Sequence, residues 1–240
     1  MTTEQFGVDP AAYDAARTMI LDAAADVFQR QGFDRSTIDD IADAIGATKG
    51  RVYYYFRSKF DIYLAVYEEG MRKVCEAVEP LSTGPGTGRD RLVAMSVAHA
   101  ENLMIDLRYH NTIHQGIPGH GTSALKQRQR DELDALNRIR DEYEQMFRKV
   151  VADGMADSSL RIEDPKLATR VLLSSLNAID TWFQPRPGQS VEQIHDLAQR
   201  IAHLLINGLT EHRCGEADWE EGGREEASHG QDSGEKGSGE

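Results

Sequence analysis

The sequence predicts an all-α protein, a three-helix amino-terminal head on a larger helical body, and three observations predict it. Apolar residues recur at helical spacing through most of the 240 residues, and no stretch alternates convincingly as a half-buried strand would. Most of these segments open on capping residues and several close on glycine or proline. Two short helical segments within Ser36–Lys59 flank a tight turn containing Gly46, which is the pattern of a helix-turn-helix.

The chain begins its first helix at Asp9–Pro10 or at Asp14. A cap followed by proline favours the earlier start, because proline is preorganised for the first turn. This helix runs to Gln31 with Ile20, Ala24, Val27 and Phe28 inward, and Gly32 ends it. Thr37 with Asp40 is a capping-box pattern for the next helix, whose Ile38, Ile41, Ala42 and Ile45 share one face. Gly46 suits its left-handed end. Thr48 is placed to cap the third helix, with Val52 and Phe56 inward. Ser58 with Asp61 opens a fourth, from Lys59 to about Glu79. The stretch 80–88 reads as a flexible break and a domain boundary.

Helices are expected next from Arg89 to about Leu107 and, after a glycine-rich segment holding at most a short helix, from Thr122 to about Ala156. Asp164–Pro165 starts another, expected to continue to Phe183, where Pro185 and Pro187 stop it. Ser190 with Gln193 caps the last, to about Arg213. Residues 1–60 form the head and 61–213 the body, and the Gly/Glu/Ser-rich residues 214–240 cannot bury a core and are expected to be a disordered acidic tail.

The third helix carries the most specific chemistry. No acidic residue lies between Ala44 and Phe60, whereas Lys49, Arg51, Arg57 and Lys59 are cationic and Tyr53, Tyr54 and Tyr55 interleave with them. Consecutive residues on a helix point in different directions, so at least two of these phenols face away from the Val52/Phe56 side. Cations and phenols together suit phosphate and base-edge contacts in a major groove. The net charge of −13 does not oppose this, because ten acids against three cations in residues 211–240 supply over half of the excess. Residues 1–60 sum to slightly negative, which predicts weak non-specific binding. Asp39 and Asp40 complement the positive end of the second helix.

Other function classes have little support. Catalytic, phosphate-loop and paired-cysteine motifs are absent, and no cofactor is called for. His110 and His114 have helical metal-ligand spacing, but no carboxylate or cysteine completes a set, so no metal is expected. Cys75 and Cys214 form no motif, no apolar run approaches 18 residues, and no export signal opens the chain. A reduced cytoplasmic protein with no membrane partner is the simplest expectation. An all-helical enzyme, or an adaptor whose head binds a protein, is the alternative reading.

The pattern T-x-x-x-I-A-x-x-x-G-x-x-x-G-x-V-Y-x-Y-F-x-S-K from Thr37 to Lys59 resembles the DNA-binding signature of tetracycline-repressor-type (TetR) regulators. The resemblance implies a homodimer that binds double-stranded operator DNA through its heads and a small-molecule inducer in its body. It implies DNA contacts from Thr37, Thr48, Lys49, Gly50, Arg51, Tyr53, Tyr54, Tyr55 and Lys59. Lys49, Gly50 and Arg51 fall at positions that face bases or nearby phosphates, and Tyr53, Tyr55 and Lys59 at phosphate positions. Candidate pocket residues, chosen as adaptable or aromatic side chains with polar tips, are Met95, His99, Leu103, Met104, Tyr109, His114, Tyr143, Phe147, Trp182 and Phe183.

The last two helices carry small and apolar residues suited either to a dimer interface or to the protomer core: Ser174, Ser175, Ala178, Leu172 and Leu176, then Ala202, Leu204, Leu205 and Gly208. The segment 176–208, with its W-F-Q-P-R-P-G stop, is similar to TetR-type regulators of lipid, sterol and aromatic-acid catabolism, several of which respond to acyl-CoA thioesters. Such an inducer would need cations for its phosphates, and Arg108, Lys126, Arg128 and Arg130 suit either that role or a solvated face.

Overall fold

The computed structural model describes residues 9–114 and 125–208, and among them it contains ten α-helices and no strand. Helix α1 (Pro10–Gln31) is capped by the Asp9 carboxylate, which accepts from the Ala11 amide. The capping box before α2 (Ile38–Ala44) is complete, since Thr37 accepts from the Asp40 amide and Asp40 accepts from the Thr37 amide. Gly46 turns the chain at φ 63°, a left-handed conformation in which a Cβ is strained. Helix α3 (Lys49–Tyr55) follows, and Ser58 caps α4 (Lys59–Ser82). Ile20 and Phe28 of α1, Ile41 of α2, Val52 of α3 and Ile62 of α4 are all fully buried at 0% exposure and close the head's core. Burial of each such side chain contributes roughly 1.5–3 kcal/mol, which these short helices need because they are marginal alone.

Beyond α4, the body comprises α5 (Gly88–Ile105), α6 (Leu107–His114), α7 (Gln127–Ala156), α8 (Pro165–Asn177), the short α9 (Ile179–Trp182) and α10 (Val191–Asn207). Helices α4, α5 and α7 pack on one another, α8 and α10 cover α5, and α6 lies between α4 and α1. The head therefore meets the body along two lines, at α6 and through α4.

Two expectations about this region are corrected. The stretch 80–88 is a packed corner rather than a loose break. Helix α4 continues through Pro80 to Ser82, and Arg91 donates to the Ser82 carbonyl at 2.8 Å. The Gly88 amide donates to Asp157, and a Cβ on Gly88 would stand 2.2 Å from the Gly154 backbone nitrogen, so α5 and α7 meet glycine on glycine. The helix expected from Pro165 to Phe183 breaks at Ala178, although no glycine or proline marks the place. The break aims Asn177 at the interior and buries Ile179, a demand of packing that local pattern does not carry. Residues 115–124, where the end of the glycine-rich segment and the expected start at Thr122 fall, and the acidic tail lie outside the described residues.

Candidate DNA-reading head and ligand cavity

The outer surface of the head is made by the start of α2 and the exposed side of α3. Thr37, Thr48, Lys49, Gly50 and Arg51 are exposed, and so are Tyr53 (47%) and Tyr54 (63%). Tyr55 is half-buried, with the Tyr13 ring of α1 tilted against it at 4.8 Å between ring centroids. Thr48 occupies the N-cap position of α3, but its hydroxyl makes no cap hydrogen bond, contrary to the capping expectation. Lys49 Nζ lies 2.8 Å from Asp39 Oδ2, and this contact holds the ammonium pKa above its ordinary value.

Lys59 departs most from its expected role. Its ammonium donates to the carbonyls of Phe33 (2.6 Å), Ser36 (2.7 Å) and Asp34 (3.3 Å) and sits 4.3 Å over the Phe33 ring. An ammonium has three N–H donors, and all three are directed into the α1–α2 connection. Partial burial lowers its pKa accordingly. Lys59 thus ties the fourth helix to the turn preceding the second, and no donor remains directed toward a phosphate.

In the body, a cavity of about 500 Å³ is walled by α4, α5, α6, α7 and α8. Its apolar sides include Met71, Val74, Ile113 and Leu173, and its polar lining is centred on His99. His99 Nε2 lies 3.0 Å from Asn177 Oδ1, and His99 Nδ1 lies 2.8 Å from the Tyr143 hydroxyl. An amide oxygen only accepts, so in the neutral ring Nε2 carries the proton and Nδ1 accepts from Tyr143. Burial pushes the Tyr143 phenol well up, which keeps it a donor. His110, whose Nε2–H donates to Asn102 Oδ1 at 2.9 Å, completes the polar side, and the exposed Arg140 and Arg170 also line the cavity.

Of the pocket residues expected from sequence, His99 and Tyr143 line this cavity, and the Phe147 ring packs against both, edge-on to His99 at 6.3 Å and tilted against Tyr143 at 5.3 Å. Met95, Leu103, Met104 and Phe183 are buried among the core side chains and do not line it. Tyr109 is buried too, but its hydroxyl points at the head and donates to Asp22 at 2.7 Å. Trp182 is 55% exposed on α9, on the outside of the body. The His114 side chain lies outside what the structure describes.

The cations expected for phosphates sit elsewhere as well. Arg108 pairs with Asp22 and Asp26, Arg128 with Asp61 and Glu132, and Arg130 donates to the Leu125 carbonyl and to Gln127, while Lys126 precedes α7. Sequence reasoning missed Asn177, Arg140 and Arg170. Their alignment needs the break after α8 and the approach of α7 to α8. Among the described residues no group of three or more His, Cys, Asp and Glu side chains is arranged to hold a metal, and no helix is long and apolar enough to cross a membrane.

A helix-turn-helix with a basic, phenol-bearing reading helix, joined to a helical body with its own cavity, defines a class: a ligand-responsive transcriptional regulator. Residues 20–66 match the family described as "Bacterial regulatory proteins, tetR family", and residues 85–209 match "Tetracyclin repressor-like, C-terminal domain". The chain belongs to the TetR family of transcriptional regulators.

It is similar to the fatty acid metabolism regulator protein of Bacillus subtilis, with 24% identity over 79% of this chain and 93% of the relative. It is likewise similar to the HTH-type transcriptional repressor KstR2 of Rhodococcus jostii, with 23% identity over 84% and 94%. The crystal structure of the TetR regulator PfmR from Thermus thermophilus superposes with a TM-score of 0.68 at 25% identity, over 80% of this chain and 98% of that one. These relatives are regulators and not enzymes, and this chain is likewise no enzyme.

Proposed function

We propose that this regulator is a repressor that binds a palindromic DNA operator as a homodimer and is released by a small apolar or acyl-CoA-type inducer. The observation that carries the reading is that one helix touches both the cavity and the head. Helix α6 lines the cavity with His110 and Ile113, and its Arg108 and Tyr109 grip Asp22 of α1 in the head. A ligand that displaces α6 acts on the head directly. The second joint is Arg128 of α7, which holds Asp61 at the start of α4 at 2.6 Å. Besides α4 itself, these two joints connect the body to the head.

The cavity chemistry supports an inducer with an apolar body, a hydrogen-bond acceptor and an anionic end. Asn177 keeps its amide N–H donors for a carbonyl, since its oxygen is engaged with His99. Arg140 and Arg170 suit a carboxylate or phosphate. The likeness to the fatty acid metabolism regulator of Bacillus subtilis supports beginning with fatty acyl compounds. For the homodimer, the support is exposed apolar surface on α8, α9 and α10: Leu167, Val171, Trp182, Val191 and Leu204. Leu172, Leu176 and Ala202 are core residues of the protomer instead. Paired heads about one DNA turn apart supply the selectivity that one head lacks.

The head, residues 1–60, reads DNA through Thr37, Thr48, Lys49, Gly50, Arg51 and the exposed tyrosines, the body occupies 61–213, and the protein acts in the cytoplasm. The test is to select a duplex from a randomised pool with the full chain, then add acyl-CoA thioesters, free fatty acids and aromatic acids. Release by one class supports the reading, and a chain that stays bound in the presence of all three argues against an inducer of this kind. Sedimentation at micromolar concentration reads the dimer.

A further inference from the structure

We propose that Asp39 is a discriminating residue of the DNA-reading surface, which withholds the Lys49 ammonium from phosphates and lets it act on an uncharged base edge. The inference rests on the head reading DNA and goes beyond it, because the resemblance gives Asp39 no part in recognition.

The geometry separates two neighbouring carboxylates that look alike in sequence. Asp40 Oδ2 accepts from the Thr37 amide and hydroxyl and from Gln31 Nε2, all at 2.8–2.9 Å, so this carboxylate is engaged in the cap of α2 and its tie to α1. Asp39 has no part in that cap. Its Oδ2 instead reaches across to Lys49 Nζ, the first residue of α3, at 2.8 Å. Both side chains are exposed, 59% for Asp39 and 48% for Lys49. The pair therefore lies on the surface that carries Arg51, Tyr53 and Tyr54 rather than in the head's core.

An exposed ion pair of this kind is weak, so its effect lies in selection rather than in stability. A DNA phosphate approaching Lys49 brings a negative charge next to Asp39, and the repulsion offsets the attraction. A guanine edge brings two acceptors, O6 and N7, without net charge. Lys49 has three N–H donors, so it can keep Asp39 with one and take guanine with the other two. Asp39 thus removes about one cation from non-specific binding and leaves base reading intact. The rest of the head has cations enough for backbone contacts, in Arg51 and Arg57. The consequence is a higher ratio of operator to random-sequence affinity, which is the quantity that matters when competing sites are many.

The experiment uses the full chain, a random-sequence duplex, and the duplex selected from a randomised pool by the parent protein. Asp39→Asn should tighten binding to the random duplex by up to about tenfold at 0.1 M salt, because one more neutralised phosphate steepens the salt slope by about 0.9. Binding to the selected duplex should change by less than about threefold, and selection repeated with the variant should lose guanine preference at one position of each half-site. In a Lys49→Gln background the Asp39→Asn effect on random DNA should vanish. Equal tightening on both duplexes, an unchanged salt slope, or an effect that persists without Lys49 would overturn the inference. A parent chain that binds no duplex even at low salt would overturn the head reading and this inference with it, whereas a parent that binds and a variant that matches it overturns this inference alone. Both positions are exposed, and unchanged thermal melting of each variant excludes a folding effect.

Discussion

Arg108 Nη2 lies 2.8 Å from Asp22 Oδ1, and this contact joins the short helix α6, which lines the ligand cavity, to the first helix of the head. The Tyr109 hydroxyl donates to the same carboxylate oxygen at 2.7 Å, so two consecutive residues hold one acceptor. Burial first, and then the Asp22 carboxylate, raise the Tyr109 phenol far above its ordinary range, so it remains a donor at any physiological pH.

Asp22→Asn should therefore weaken communication more than either binding event. Inducer affinity of the isolated protein and operator affinity of the ligand-free protein should each stay within about threefold of the parent. The factor by which inducer weakens operator binding should fall, since a coupling of about 1–3 kcal/mol depends on a physical joint. Linkage requires operator-bound protein to lose discrimination against inducer by the same factor. Titrating inducer with and without operator measures both, and an unaltered coupling factor would remove this joint from the mechanism.

Trp182→Ala should act on assembly rather than on the ligand, because the indole is exposed on α9 and does not line the cavity. The dissociation constant of the dimer should rise, by roughly tenfold to a few hundredfold if the indole anchors the interface. Inducer affinity at concentrations that maintain the dimer should not move. His99→Phe, by contrast, should cut inducer affinity and leave the dimer intact. Sedimentation equilibrium and calorimetric titration separate the two variants.

Lys59→Met should destabilise the head without changing the salt dependence of DNA binding. The variant deprives three carbonyls of a charged donor, and a loss of about 2 kcal/mol is expected. Urea unfolding reads that loss. A salt slope flatter by about one unit would instead return Lys59 to the DNA backbone.

Acid sensitivity should trace to the caps. Asp40, Asp90 and Asp157 are held below their ordinary value of 3.8, chiefly by side-chain hydrogen bonds with Thr37, Thr87 and Ser159. A carboxylate depressed in the folded state contributes stability that is present above the unfolded value and lost as pH falls through the folded one. The urea midpoint should accordingly be flat from pH 7 to about 5 and fall below pH 4. Asp90→Asn should lower the plateau and shallow the acid slope, and a parallel shift at every pH would show that Asp90 does not contribute to the acid transition.

The sequence by itself determined most of what depends on neighbours along the chain, the unmade Thr48 cap excepted. Asp9–Pro10, Thr37 with Asp40, Ser58 with Asp61, Asp164–Pro165 and Ser190 with Gln193 each mark a helix start that the structure contains, because a cap acts within three residues. Gly46 and the inward Val52 and Phe56 were legible for the same reason. Acid-free composition and three phenols marked the exposed side of α3 without any knowledge of its partners. Only the tertiary structure decided where side chains meet across helices. It directed Lys59 to carbonyls 23 to 26 residues away, broke the helix after Asn177 and joined that residue to His99, 78 residues earlier. It also turned Trp182 outward and separated Asp39 from Asp40 in duty. Hydrogen-bond direction and burial depend on which helices approach, and that approach is set by the whole core rather than by any local pattern.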